Sequence, residues 1–144
     1  MIFLPLPSKL LAVKVLFYLH LYGTIHRIMP FRCLSVSLGK QTAFDKQHLN
    51  QEQLRFVFFL QRIFLGLNKY WFLKFKCLTK SLAAARILRN RNIPYILYLG
   101  VTKDKSIMKA HSWIKCEEVD VAGIAQGVYT SLTYFVFAGN NKMK

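Results

Sequence analysis

The hydrophobic pattern of this chain changes period once, at Pro94, and that change bounds the folds open to it. Before Pro94, apolar residues recur at helical spacing in three segments. After it, Tyr95–Val101 and the segments that follow are rich in β-branched and aromatic residues and read as strands. Helices followed by strands, rather than alternating with them, specify an α+β domain in which N-terminal helices pack on one antiparallel sheet.

The first helix is expected from about Lys9 to Met29, with Ser8 as its N-cap, Gly23 weakening its middle and Pro30 stopping it. Asn50 can cap a second helix, about Gln51–Asn68. Its polar residues Glu52, Arg55, Arg62 and Lys69, with Gly66, fall near one stripe, and almost everything else is apolar. So wide an arc suits a helix sandwiched between two layers, or a patch for a partner protein. A third helix is expected over Cys77–Arg91, with Leu78, Leu82, Ala85 and Arg89 on one face and Lys80, Arg86 and Arg91 more outward. Asn92 and Pro94 end it. Strands are expected over Tyr95–Val101, Lys109–Cys116, Val119–Ala122 and Tyr129–Phe137, with a charged turn at Thr102–Ser106 and another at Glu117 and Glu118. Residues 1–49 thus form a helical segment and loop and residues 50–144 the core, in one compact domain overall.

A chain of 144 residues, 53 % hydrophobic, can bury a core and is not a disordered tail. It carries 21 Lys+Arg against 6 Asp+Glu, a net charge of +15, which favours anionic partners. No zinc finger, recognition-helix pattern or aromatic–basic RNA motif accompanies that charge, so nucleic acid is not the expected partner. The apolar run Leu10–Tyr22 is interrupted by Lys14 and His20 and is shorter than the roughly 20 residues a spanning helix needs. No signal-peptide pattern follows it, so the run is expected to be an element of a cytoplasmic domain without membrane contact. A membrane-surface helix, which the basic charge would assist, is the alternative, and with it a basic nucleic-acid- or membrane-surface-binding module without catalysis. The cysteines are three, Cys33, Cys77 and Cys116; an odd count without CxxC or zinc-ligand spacing points to a reduced, cytoplasmic protein without a disulfide framework or metal.

One constellation carries chemistry. Cys77 opens the third helix, His111 follows 34 residues later in a strand, and Asp120 nine residues after that. The order Cys, His, Asp is that of a thiol hydrolase with nucleophile, base and orienter. A helix start offers unpaired N–H groups and a partial positive charge, and Lys74, Lys76 and Lys80 lie close in sequence; all favour a thiolate. The backbone N–H of Cys77 is the obvious oxyanion donor. The bland readings are a small buried cysteine, a histidine filling space beside Trp113, and turn charges at Glu117 and Glu118. Strand alternation places His111 and Trp113 on one face and Ser112 on the other. Glu118 shares parity with Asp120 and is the alternative acid.

The words CL-x-K-SLA-x-x-x-IL from Cys77, I-P-x-x-LYLGV from Ile93 and AHSW from Ala110 resemble the stand-alone transglutaminase-like leader peptidases of lasso peptide biosynthesis. The resemblance implies a transglutaminase- or papain-like fold and a Cys77–His111–Asp120 triad. It implies removal of the leader from a ribosomally made precursor peptide, together with a separate leader-recognition protein and an ATP-dependent macrolactam synthetase. No leader-binding domain is visible here. ATP influences cleavage in some members, through partners; no phosphate-binding loop is present, and no cofactor is assigned to this chain. Many relatives have alanine at Ser112; a serine there, facing away from the thiol, is expected to be tolerated.

Overall fold

The structure, a computed structural model, describes residues 6–29, 49–67, 77–104, 106–117, 119–122 and 130–137. Three helices come first: α1 (Leu6–Ile28), α2 (Gln51–Leu67) and α3 (Cys77–Asn90). Four strands follow: β1 (Tyr95–Asp104), β2 (Ile107–Cys116), β3 (Val119–Ala122) and β4 (Thr130–Phe137). They form one antiparallel sheet in the order β3-β2-β1-β4. The α+β reading from the period change is borne out.

Local chemistry explains the boundaries. Asn50 caps α2 reciprocally: its Oδ1 accepts from the Gln53 N–H at 2.8 Å, and Gln53 Oε1 accepts from the Asn50 N–H at 3.1 Å. α3 ends in a Schellman motif, with Ile93 N–H on the Leu88 carbonyl and Asn92 N–H on the Arg89 carbonyl, both at 2.9 Å. Asn92 takes the left-handed conformation this requires, φ 57°. α1 departs from expectation at its start. It begins at Leu6, with Pro7 in the first turn where a missing N–H costs nothing, so Ser8 lies inside the helix rather than capping it.

The sandwiched helix is α3, not α2. α3 buries Thr79, Ser81, Leu82, Ala83, Ala84, Ala85, Ile87 and Leu88, whereas α2 buries Val57, Leu60, Ile63 and Phe64 and leaves Phe58 and Leu65 exposed. The small residues from Ser81 to Ala85 let α1 approach from one side and β2 from the other. Leu11, Val15 and Leu19 of α1 join the same core as Leu97, Ile114 and Val121 of the sheet.

The β1–β2 hairpin is longer than expected. Pairing continues to Asp104 opposite Ile107, so the strands take up most of the expected Thr102–Ser106 turn. Ser106 supplies a positive φ of 70°, the geometry tight hairpins need and usually take from Gly or Asn.

Candidate active site

Cys77 is the first residue of α3 and is half-buried. Lys80 stands one turn on. Burial pulls its ammonium below the ordinary value, and the neighbouring Cys77 acts in the opposite direction. Lys80 is half-buried rather than outward-facing, while Arg86 and Arg91 are exposed as expected.

One turn after Cys77, the chain makes a contact that sequence reading missed. Ser112 Oγ donates to Ser81 Oγ at 3.2 Å, and both residues are buried. This bond ties α3 to β2 at the residue adjoining His111. It also corrects the expected role of Ser112. The side chain does face away from His111, but it faces toward the helix that carries Cys77, not away from it. The signal was present: Ser81 lies four residues after Cys77, and Ser112, Ile114 and Cys116 alternate as the buried set of β2.

The same alternation sets His111, Trp113 and Lys115 on the opposite face of β2, each half-buried. The His111 and Trp113 rings stack at 6.0 Å and Trp113 stacks on its cross-strand partner Tyr98 at 5.4 Å. Gly100 is paired with His111 in register. The fold thus joins the backbones around Cys77 and His111 through the serine pair, and directs the imidazole to the aromatic face.

Asp120 lies on β3 opposite Lys115, and its carboxylate pairs with the Lys115 ammonium at 3.7 Å. Lys115 is four residues along the strand from His111, a separation of about 13 Å at the usual rise. The structure brings Asp120 to Lys115 and does not bring it beside His111. Gln61 of α2 donates from Nε2 to the Asp120 backbone carbonyl at 2.9 Å, which fixes β3 against α2. Glu117 accepts a hydrogen bond from the Leu49 N–H and has a positive φ of 52° at the β2–β3 turn, so it serves the turn. Cys33, His48, Lys74, Lys76 and Glu118 lie outside the described residues.

Cys116 is the other described cysteine. It is fully buried, and burial, with Glu117 adding to it, pushes its thiol up to about 12. That thiol stays protonated in the fold and is a core residue. Among the described residues, no group of three His, Cys, Asp or Glu could hold a metal ion. No helix among them is long and apolar enough to cross a membrane.

The family model of the Transglutaminase-like superfamily matches residues 25–133, about three quarters of the chain. That span contains Cys77, His111 and Asp120 and all of α2, α3, β1, β2 and β3. Comparisons with curated proteins and with solved structures return no match. A helix opening on a half-buried cysteine, packed on an antiparallel sheet whose second strand carries a histidine, is the arrangement within that matched span. The chain belongs to the transglutaminase-like superfamily, whose fold is commonly that of a cysteine hydrolase.

Proposed function

We propose that this protein is a cysteine peptidase that removes the leader from a ribosomally made lasso peptide precursor. The observation that carries the hydrolase reading is Cys77 at the first residue of α3, inside the superfamily match. The thiolate attacks the scissile carbonyl, and an acyl-enzyme forms as the leaving amine takes a proton. Water then releases the leader acid and restores the thiol. In this reading the dipole of the α3 start favours attack by sulfur, and the Cys77 N–H is the proposed oxyanion donor. His111 is the proton carrier. Its backbone adjoins the serine pair, but strand alternation sets its ring on the face of β2 opposite α3, so this role requires a change in β2 itself and not a rotation of the ring alone. Asp120 supports the reaction from a distance, by holding Lys115 and the edge of the sheet. The lasso-specific substrate, the recognition protein and the synthetase rest on the sequence words around Cys77, Ile93 and Ala110. The chemistry draws on protein groups, without a cofactor, in the cytoplasm.

The test is leader release followed by mass spectrometry, with precursor and recognition protein present. Cys77→Ala is expected to abolish release while the circular dichroism spectrum is retained. His111→Ala is expected to lower turnover by at least about a hundredfold, the scale of acid–base catalysis, and to cost little more in a Cys77→Ala background. Asp120→Asn is expected to fall less. Cleavage by Cys77→Ala at the wild-type rate overturns the mechanism. Unchanged turnover in His111→Ala moves the base to another residue.

A further inference from the structure

α1 carries two apolar faces, and only one is used by the core. Leu11, Val15 and Leu19 are buried against the rest of the protein. On the opposite side Leu10, Val13, Phe17, Leu21 and Ile28 are 65, 62, 61, 39 and 77 % exposed. Their spacing keeps them within one narrow stripe along the axis. From Leu10 to Ile28 that stripe runs about 27 Å at 1.5 Å per residue.

Its flanks are cationic. Exposed Lys14 lies along one side, and exposed Lys9 and Arg27 along the other. The described helix contains no Asp or Glu. The polar groups near the stripe are satisfied within the helix. His20 Nδ1 bonds the Leu16 carbonyl at 2.8 Å, and Thr24 Oγ1 donates to the His20 carbonyl at 3.0 Å. Beside the stripe, a pocket of about 140 Å³ is lined by Leu10 and Lys14 together with Tyr18 and Arg91, so a second cation faces the same side.

We propose that α1 seats this protein on an anionic lipid surface. The helix lies in the plane of the leaflet, with Phe17 and its apolar neighbours below the headgroups. Lys14, Arg27 and Arg91 meet the phosphates from either side. Apolar residues bordered on both flanks by long cationic side chains are what a helix lying in that interface requires, since the stems run along the apolar zone and the heads reach the phosphate layer. The protein's net charge of +15 draws it to the same surface. The sequence alone argued against a spanning helix, because Leu10–Tyr22 is too short, and left a surface helix as the alternative. A helix lying in the interface has no spanning length to meet, and the fold leaves the needed face bare.

The experiment is co-sedimentation of the full chain with vesicles of phosphatidylglycerol and phosphatidylcholine in equal parts, beside vesicles of phosphatidylcholine alone. Binding to the mixed vesicles and not to the neutral ones is expected. Phe17→Glu, at an exposed site where folding is retained by circular dichroism, should weaken partitioning by about tenfold or more, the scale of one large apolar side chain. Lys14→Glu should weaken it in dilute buffer and less so in high salt. No wild-type binding, equal binding to neutral vesicles, or full binding by Phe17→Glu overturns the proposal; the last would assign adhesion to the basic surface at large. A wild-type dimer by light scattering that Phe17→Glu dissociates, without vesicle binding, would show that a second copy covers the stripe.

Discussion

Removing both hydroxyls of the Ser81–Ser112 pair should cost less than the two single removals added together. The two side chains are buried, 0 % and 2 % exposed, and their bond spans α3 and β2 at 3.2 Å. Ser112→Ala leaves Ser81 Oγ without its cross-element partner, but a helical serine can turn back to the carbonyl four residues earlier, here that of Cys77. The expected loss is about 1 kcal/mol. Ser81→Ala strands Ser112 on a strand without that recourse, and the expected loss is about 1–3 kcal/mol, the cost of an unsatisfied buried hydroxyl. The double variant leaves no buried hydroxyl at all. Its loss should fall short of the sum of the singles by about 1–2 kcal/mol, as for residues in direct contact. Urea unfolding followed by circular dichroism reads this directly: at about 2 kcal/mol per M, a 1.5 kcal/mol loss moves the midpoint by about 0.7 M. Strictly additive singles, or a neutral Ser81→Ala, would refute the contact and with it the clamp that places α3 on β2 beside the candidate site.

Two further outcomes follow from the core. Burial raises the Cys116 thiol from 9.0 to about 12 and moves the Tyr95 phenol upward as well, so the unfolded chain loses these protons first as pH rises. Their stabilising contribution is complete below pH 9 and is lost through pH 9–12; stability measured by denaturant midpoint should fall over that window, and Cys116→Ala should flatten the fall. A flat wild-type profile would contradict the buried thiol and phenol. Gly23→Ala should stabilise by about 0.5–1 kcal/mol, because Gly23 sits in the interior of α1 and an added methyl would meet Thr79 Cγ2 at an ordinary 3.9 Å. A lowered melting temperature would mean that α1 and α3 approach more closely there.

Most elements were legible because their signals are local. Asn50 with Gln53, Asn92 before Pro94, and the β-branched run from Tyr95 each act over a few residues. What escaped depends on contacts distant in sequence or on backbone alone. The Ser106 turn was read too long because no Gly or Asn marks its positive φ. The sandwich role went to α2 on its apolar breadth, yet α3 takes it through the small residues Ser81 to Ala85, which a hydrophobicity count undervalues. At the site, parity in β2 was read correctly, but the face on which α3 would lie was not in the sequence. Hence Ser112 was assigned to the side away from the thiol helix. The partnership of Asp120 with Lys115 needed the β2–β3 register, which a bulge between Ile114 and Lys115 sets.

The hydrogen bond from Gln61 to the Asp120 carbonyl has a bearing on how extended chains meet this sheet. β3 is one end of the strand order, and an edge strand ordinarily tempts any extended peptide to add itself as the next strand. Here α2 lies against β3 and plants a side-chain amide on its backbone. A peptide arriving at that edge must first dislodge a helix anchored in the core through Val57, Leu60 and Phe64. A protein whose proposed substrate is itself a pliable peptide is thereby guarded at this edge against becoming a template for its own substrate's aggregation.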